Sequence, residues 1–399
     1  MSRKIAIVGA GPSGAATALF AIREGIDPRD LVLYDAARFP RKKLCGGGLT
    51  FRGTEILAEL LPEEPFGTRT VGLDFRASIG AVAVRERGPQ RLFDRAILDE
   101  ALVARCRALG VEVREEARVL GLEPGASGTR LRLRGGTTEP YALVVGADGA
   151  RSVIRREIGI PEGPVGRLVE AVYETDAPWN DARLLFDFEP VLEGIPGYLW
   201  IFPYPLPDGV RRYKIGIMDG RGVTPGEVLR ARTAAFAEAN GFRPLEEKIP
   251  GWPERYFDRT LRAHVPGVFL TGEAWGIDPL LGEGIAPAYY MGQYTARRLR
   301  ECLDRGVDTL RDYERGFLRT EEGGNLVFQG FLADRLYGRH GQRWLRVLFE
   351  NGTLRELADA GTEVYGRLRG RAPRLILSYV LQQLAGLFRK GPALPESTP

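Results

Sequence analysis

Residues 5–14 read IAIVGAGPSG, an apolar run that ends in a G-x-G-x-x-G turn. The apolar run before the turn, a helical pattern at residues 15–24 and a second apolar run, LVLYD at residues 31–35, together predict a strand–helix–strand unit. In open α/β sheets such a unit holds the pyrophosphate of a dinucleotide at the start of its helix. The N-terminal segment therefore predicts a dinucleotide-phosphate site.

Each glycine of the turn has a separate task in this interpretation. Gly9 permits the tight turn, Gly11 lets the backbone approach a pyrophosphate, and Gly14 lets the helix pack closely on the strand. The start of the helix offers free N–H groups to the anion. Asp35 ends the second strand, where a carboxylate accepts hydrogen bonds from ribose hydroxyls.

Length and composition favour a folded protein with two domains. The 399 residues exceed the roughly 250 to 300 at which a single core stops growing. The net charge of +4 is spread along the chain without a dense Lys/Arg block, so nucleic-acid binding is not indicated. Residues 1–4 lead directly into the first strand without a signal-peptide pattern, and no apolar run approaches the roughly 20 residues that span a bilayer. We therefore expect a cytoplasmic protein.

The cysteine and histidine content argues against a metal centre. The three cysteines, Cys45, Cys106 and Cys302, are far apart and odd in number, which indicates neither a disulfide framework nor a zinc site. Two histidines are too few for a histidine-based metal site. No metal is therefore expected.

Two later apolar runs end in loops that suit a bound ligand. The first, YALVVG at residues 141–146, leads into Asp148 and Gly149. The second, VFLTG at residues 268–272, leads into a glycine-rich loop and then a helical pattern. Open α/β sheets bind ligands at the carboxyl ends of their strands, so both loops are predicted to contact the same cofactor.

Residues 168–219 alternate apolar and polar side chains and predict a second, antiparallel sheet. Its aromatic residues include Tyr198, Trp200 and Phe202. Such a strand can form the floor of an apolar cavity over the cofactor, or it can simply be core, and both interpretations stay open.

From Tyr313 onward the pattern is helical. The segment from Leu375 to Phe388 has a broad apolar face with basic residues at both ends. It can lie on a membrane surface or pack on the protein's own body, and the sequence leaves both open. Residues 391–399 are expected to be disordered.

Three separated segments carry a resemblance to a known superfamily. They are the N-terminal G-x-G-x-x-G with Asp35, the D-G-x-R-S turn at residues 148–152, and the G-E-x-x-G-x-D-P element at residues 272–279. Together they resemble the flavoprotein hydroxylases typified by para-hydroxybenzoate hydroxylase, over about the first 300 residues. Within that superfamily the chain looks most like the geranylgeranyl reductase family. The narrower resemblance rests on Pro40-Arg41-x-Lys43-x-Cys45-Gly46-Gly47 and on Tyr198-x-Trp200-x-Phe202-Pro203.

The resemblance implies an α/β fold with a Rossmann-like FAD-binding domain, an inserted antiparallel β-sheet substrate domain and a C-terminal helical region. The implied FAD-binding domain comprises residues 1–70, 92–165 and 262–305, and the implied substrate domain comprises residues 71–91 and 166–261. Residues 306–390 then form the helical region and residues 391–399 the tail.

The resemblance also implies FAD and the residues that contact it. Asp35 would face the adenosine, Arg95 would reach the flavin chain, and Glu273 would stand near the ribityl or pyrophosphate region. Cys45 is the candidate for a catalytic or gating role beside the flavin, with simple packing as the alternative. Tyr198, Trp200 and Phe202 are the implied substrate-pocket residues. The full set of implied cofactor contacts is Gly9, Gly11, Gly14, Ala15, Asp35, Cys45, Gly46, Gly48, Arg95, Val119, Asp148, Gly272, Glu273, Pro279, Gly284 and Ile285.

The activity implied by the family is reduction of carbon–carbon double bonds in a lipophilic, isoprenoid substrate by hydride transfer from reduced flavin. An FAD-dependent monooxygenase, either a hydroxylase or an epoxidase, acting on a lipophilic or aromatic substrate is the alternative, because the superfamily fold supports both chemistries. A flavin-binding sensor is a third class, and the lack of W-x-W-x-I argues against a halogenase. No second G-x-G-x-x-G is present, so the electron donor is NAD(P)H that docks transiently or a small redox protein.

The chain departs from the family pattern at three places. Glu273 stands where aspartate is usual, and Trp275 stands where a small residue is usual, in a loop that is shorter than the common one. The segment KIGIM at residues 214–218 has one glycine where a G-x-G follows the aromatic motif. FAD binding is expected to survive these changes, with a remodelled substrate pocket.

Overall fold

The structure is a computed structural model that describes residues 4–350, apart from the side chains at 85–89 and 350. The predicted helix from Leu375 to Phe388, the predicted tail at 391–399 and the rest of the C-terminal segment lie outside the described residues. No helix within residues 4–350 is both long and apolar enough to cross a membrane.

The described chain alternates strands and helices in its first half and becomes helical after residue 284. Its strands are β1 (Ile5–Val8), β2 (Leu31–Tyr34), β3 (Gly48–Leu49), β4 (Thr68–Ala77), β5 (Gly80–Leu92), β6 (Glu112–Arg114), β7 (Val119–Gly125), β8 (Gly128–Leu133), β9 (Gly136–Thr137), β10 (Leu143–Gly146), β11 (Val165–Glu174), β12 (Arg183–Asp187), β13 (Gly197–Pro203), β14 (Tyr213–Asp219), β15 (Arg243–Pro244), β16 (Gly251–Arg255), β17 (His264–Val265) and β18 (Val268–Leu270). Its α-helices are α1 (Pro12–Arg23), α2 (Phe51–Leu60), α3 (Arg95–Ala108), α4 (Val153–Glu157), α5 (Glu189–Leu192), α6 (Gly226–Ala239), α7 (Ile285–Arg305), α8 (Tyr313–Arg319), α9 (Glu321–Leu336) and α10 (Gly341–Glu350). Short 3₁₀ turns occupy Pro28–Asp30 and Gly272–Ala274.

The first sheet has six strands in the order β17-β18-β10-β1-β2-β6 and is parallel except at β17. Strands β1, β2 and β10 are buried at every position, as expected for central parallel strands that are covered on both faces. Val8 pairs with both Tyr34 and Gly146, so the three strands end at one edge. The N-terminal strand–helix–strand prediction is therefore confirmed.

Close contact between backbones explains why Gly14 is a glycine. A Cβ at Gly14 would lie 1.8 Å from the carbonyl oxygen of Gly9, so α1 can start against the turn only without a side chain there. Helix α7 packs beside α1 at another such position, because a Cβ at Gly292 would lie 3.0 Å from the backbone nitrogen of Thr17. The two helices therefore pack closely side by side.

The second sheet has nine strands in the order β15-β11-β14-β13-β12-β4-β5-β3, and β16 pairs with β11. Neighbouring strands are antiparallel except β12 and β4, which run parallel. The parallel pairing of β4 with β12 is the one departure from the predicted antiparallel sheet. It could not be predicted, because an alternating pattern of apolar and polar residues does not show the direction of a strand. Helix α6 packs on one face through Leu229 and Phe236, while α9 and α10 cover the other through Leu332, Leu336 and Leu345.

The third sheet is a small antiparallel meander of β7, β8 and β9. The α/β fold class is confirmed, whereas the exact domain boundaries implied by the resemblance stay a prediction.

Candidate active site

One continuous cavity of about 830 Å³ lies where the carboxyl ends of the first sheet face the second sheet. One end is lined by the turns that follow β1, β2 and β10. The middle is lined by the loop at residues 41–51 and by the loop at residues 277–285. The far arm is apolar, and its walls include Leu73, Phe75, Leu184, Phe186, Phe188, Leu332, Leu336, Leu345, Leu348 and Phe349.

Two helices direct their N-termini into this cavity. Helix α1 begins after Gly11 and helix α7 begins after Gly284, and neither cap residue supplies a side-chain hydrogen bond. The free N–H groups and the positive end of the helix dipole favour an anion at each place. A Cβ at Gly11 would lie 3.3 Å from Nη2 of Arg41, so the first site also has a guanidinium beside it.

Asp35 is fixed across the glycine turn. Its Oδ2 accepts a hydrogen bond from the backbone N–H of Ala10 at 2.9 Å, and its Oδ1 accepts one from Ala37 at 2.8 Å. A carboxylate oxygen can accept more than one hydrogen bond, so acceptor capacity is left for hydroxyl groups in the cavity. Val119 lines the same cavity as Asp35.

Arg95 is held by a buried carboxylate. Its Nε and Nη2 donate to the two oxygens of Asp99 at 2.8 and 2.9 Å, and Nη2 of Arg41 lies 3.2 Å from the same carboxylate. Burial lowers the pKa of Arg95, but the negative charge of the facing Asp99 raises it by more, so the pKa of Arg95 lies above its ordinary value. The guanidinium therefore stays charged and fixed at the cavity wall.

The loop around Cys45 approaches the aromatic strand closely. A Cβ at Gly46 would lie 2.9 Å from the ring of Phe202, and Gly47 has a φ of +78°, which favours glycine. The N–H of Gly47 points to the Cys45 sulfur at 3.4 Å. From behind, Nζ of Lys214 donates to the Cys45 carbonyl at 2.5 Å.

The aromatic residues of β13 line the cavity and are also packed. Tyr198, Trp200 and Phe202 are buried and alternate along the strand, so they project to one face. The ring of Phe186 packs on Tyr198 at 5.4 Å and on Phe202 at 5.2 Å between centroids. The hydroxyl of Tyr198 donates to the carbonyl of Leu281, which ties this wall to the loop before α7.

Comparisons with known proteins agree with this geometry. A family model for an FAD binding domain matches residues 2–182. A menaquinone reductase of Mycolicibacterium smegmatis is 30% identical over 73% of this chain and 75% of that protein. A digeranylgeranylglycerophospholipid reductase of Methanosphaerula palustris is 28% identical over 76% of this chain and 77% of that protein. A geranylgeranyl bacteriochlorophyll reductase-like protein from Thermoplasma acidophilum has a TM-score of 0.73 at 17% identity, covering 96% of this chain and 98% of that one. The chain belongs to the geranylgeranyl reductase family of FAD-dependent oxidoreductases.

The cavity of this family member fits the cofactor. The uncapped N-terminus of α1, a turn that has no room for a Cβ at Gly9 and the guanidinium of Arg41 suit the pyrophosphate, and the uncapped N-terminus of α7 offers N–H donors to another part of the cofactor. Asp35 and Arg95 also line this cavity, and their roles at the ribose and the flavin side chain stay predictions. The predictions of the family and of FAD as the cofactor are confirmed.

Most implied contact residues face this cavity, although their individual roles stay predictions. Gly14 and Ala15 lie behind the turn, and Gly272 is packed against Ser13, where a Cβ would meet Oγ at 2.4 Å. These three residues and Pro279 do not line the cavity. Those that do are Gly9, Gly11, Asp35, Cys45, Gly46, Gly48, Arg95, Val119, Asp148, Tyr198, Trp200, Phe202, Glu273, Gly284 and Ile285.

The carboxylate of Asp148 is used within its own turn. The hydroxyl of Ser152 donates to Oδ1 at 2.5 Å, and the N–H groups of Val153 and Ile154 donate to Oδ2 at 2.7 and 3.2 Å. Asp148 therefore shapes the start of α4. Its predicted contact with the cofactor would be made mainly by the backbone of the turn.

The structure adds cavity residues that the sequence interpretation did not include among the site residues. Lys43 lies 4.3 Å from the ring centre of Trp252, and Arg151 lies at the same distance from that ring. Lys43 had a signal in the Pro-Arg-x-Lys motif, whereas Trp252 and Glu254 belong to β16 and have no motif. Only the fold brings β16 to the cavity.

Three acids lie at the junction between the loops and the apolar arm: Asp278 is buried, and Glu254 and Glu273 are half-buried. Burial raises the pKa of Glu254 to about 8 and that of Asp278 to about 7, and it also raises the pKa of Glu273. The N–H groups of Leu280 and Leu281 donate to Asp278 at 2.7 and 3.2 Å and oppose the shift there. The junction can therefore hold protonated carboxyl groups near neutral pH.

Proposed function

We propose that this oxidoreductase reduces carbon–carbon double bonds in the prenyl chain of a lipid or quinone. The observation that carries the proposal is the continuity of the cavity, which joins the FAD end to a long apolar arm. The named relatives support it, because they are called reductases of menaquinone and of digeranylgeranylglycerophospholipid.

The apolar arm has the shape and chemistry for a flexible hydrocarbon chain. Its walls come from β4, β12 and β13 on one side and from α9 and α10 on the other. Removing prenyl methylene and methyl groups from water is favourable by about 25 cal/mol for each Å² buried. An isolated alkene has no polar group that a protein could bind. The arm can provide the binding energy through burial of apolar surface alone.

Bound FAD in its reduced form supplies a hydride. The chain's own residues have the remaining tasks, which are to align the double bond, exclude water and provide a proton. We propose that the aromatic wall of Tyr198, Trp200 and Phe202 aligns the alkene and that Cys45 borders the reacting centre. The donor proposed is NAD(P)H docking transiently or a small redox protein, and we propose a cytoplasmic location with peripheral contact to a lipid surface.

Anaerobic turnover tests the proposal. The purified protein is reduced with dithionite and mixed, in separate vessels, with a geranylgeranyl glycerophospholipid and with a menaquinone. Mass spectrometry then reads the lipid, and absorbance reads the flavin. Gain of hydrogen in a prenyl chain with matching flavin oxidation supports the proposal. Oxygen incorporation that begins only when air enters refutes it and favours the monooxygenase.

A cavity variant with a matched control tests the apolar arm separately. Leu336→Trp narrows the arm at a residue that is 3% exposed, whereas Leu120→Trp changes an exposed leucine of β7, at 42%, that does not line the cavity. The first variant is expected to raise the KM for long prenyl chains while the flavin spectrum stays unchanged. Equal KM values in both variants would place the substrate elsewhere.

A further inference from the structure

The carboxyl group of Glu254 lies at the junction between the two arms of the cavity. It projects from β16 and lines the cavity beside the loop before α7. A Cβ at Gly282 would lie 2.9 Å from Oε2 and 3.4 Å from Oε1 of Glu254. Gly282 is two residues from Gly284, which is one of the cofactor contacts that the resemblance implies.

The surroundings of Glu254 favour its neutral form. Burial and the nearby Glu273 raise its pKa to about 8, while the hydroxyl of Tyr256, at 3.2 Å, and the ammonium of Lys43 act in the opposite direction. The acid therefore keeps its proton at neutral pH and can release it during a reaction. The titratable groups that act on Glu254 or are influenced by it are Lys43, Tyr198, Tyr256, Glu273, Asp278 and Tyr337.

The other acids of the junction are more firmly engaged. Both oxygens of Asp278 accept backbone N–H groups from its own loop. Glu273 is directed to the turn after β10, because a Cβ at Gly149 would lie 3.6 Å from its Oε2. Glu254 has a single hydroxyl contact among the hydrogen bonds of residues 4–350 and lies against a glycine. Of these three acids, Glu254 is therefore the one whose carboxyl group lines the cavity with no backbone N–H donor recorded to it among the hydrogen bonds of residues 4–350.

We propose that Glu254 delivers the proton to the alkene carbon next to the one that receives the hydride. This inference rests on the proposed function. The hydride forms one C–H bond, and the π electron pair forms the second C–H bond with the Glu254 proton. The O–H bond breaks and leaves its electron pair on the carboxylate, which regains a proton from water between turnovers.

The test compares wild-type protein with Glu254→Gln and with the matched control Glu247→Gln, which changes an exposed glutamate. Each protein is reduced with dithionite, mixed anaerobically with the prenyl lipid that the wild type accepts, and followed by flavin absorbance across pH. The wild-type rate is expected to fall as pH rises through about 8. Glu254→Gln is expected to be slower by about 10²- to 10⁴-fold and to lose this pH dependence, while its FAD affinity is retained. The control keeps the wild-type profile.

The outcomes separate this inference from the function on which it rests. If wild-type protein reduces no prenyl lipid, the proposed function fails. If it does and Glu254→Gln matches its rate and pH profile, the role of Glu254 is overturned while the function stands. If the variant does not fold, the wild-type profile decides, because a rate that is independent of pH through about 8 also overturns the role.

Discussion

Lys214 is a buried cation behind the Cys45 loop, in the segment where the family pattern has G-x-G. It is 5% exposed, its Nζ donates to the Cys45 carbonyl at 2.5 Å, and it lies 4.3 Å from the ring centre of Tyr204. We expect Lys214→Met to loosen the Cys45 loop, because the carbonyl loses its charged donor while the side-chain volume is nearly kept.

The magnitude follows from the contact. A hydrogen bond to a charged group contributes about 1.5–3 kcal/mol, so the unfolding free energy should fall by about 2 kcal/mol. Glu170 makes the difference in unfolding free energy between the variant and the wild type depend on pH. Burial raises the pKa of Glu170 and the Lys214 ammonium lowers it, so the variant raises it further. A raised folded-state pKa gives stability that is present at low pH and lost as pH rises, so the deficit should widen toward alkaline pH.

Two measurements check this expectation. Urea unfolding gives the stability difference, and the alkylation rate of Cys45 by iodoacetamide reports the loop directly, since Cys106 and Cys302 are fully buried. The control is Lys248→Met, at an exposed lysine. A Lys214→Met protein within about 0.5 kcal/mol of the control and with unchanged alkylation would refute the reasoning.

Further variants test the cofactor end, the Cys45 loop and the junction. Asp35→Ala should weaken FAD binding about 10- to 100-fold by equilibrium titration, because it removes ribose hydrogen bonds; unchanged affinity would place the adenosine elsewhere. Gly14→Ala should cost about 3 kcal/mol or more in urea unfolding, since its Cβ would lie 1.8 Å from the Gly9 carbonyl oxygen, and a wild-type midpoint would contradict that packing. Cys45→Ser should keep the flavin spectrum and slow lipid reduction, whereas wild-type turnover would leave Cys45 a packing role. The raised pKa of Glu254 stabilises the folded protein fully below the unfolded pKa of 4.5, and this stabilisation is lost as pH rises through about 8. The unfolding free energy of Glu254→Gln should therefore rise relative to that of the wild type as pH increases. A difference in unfolding free energy that does not change with pH would refute the raised pKa.

The parts of the fold that depend on local pattern were predictable from the sequence. The strand–turn–helix at residues 5–23 carries its own signals, namely an apolar run, spaced glycines and a helical period. The loop after β18 is similar, since its glycines precede a long amphipathic helix. Both elements lie at the cavity because the carboxyl ends of parallel strands meet at one edge.

The walls that come from distant segments could not be predicted. Glu254 is an ordinary acidic residue in a short strand, and only the pairing of β16 with β11 brings it to Gly282. The apolar arm likewise needs α9 and α10 to close over β12 and β13. Periodicity shows that these elements have an apolar face, but it does not show which face meets which.

The departures from the family pattern are compensated by neighbours that the motif does not include. Trp275, where a small residue is usual, is 2% exposed and stacks on Tyr313 with 5.2 Å between ring centres, and the ring of Phe317 lies 4.8 Å away. Both partners come from α8, outside the motifs that carry the family resemblance. Glu273 uses its extra methylene to reach the turn at Gly149, where the backbone N–H groups of nearby residues oppose the effect of its burial on its pKa. The loop after β18 is therefore packed from behind by α8 and lies against the turn after β10, and both contacts are made by the residues that depart from the family pattern.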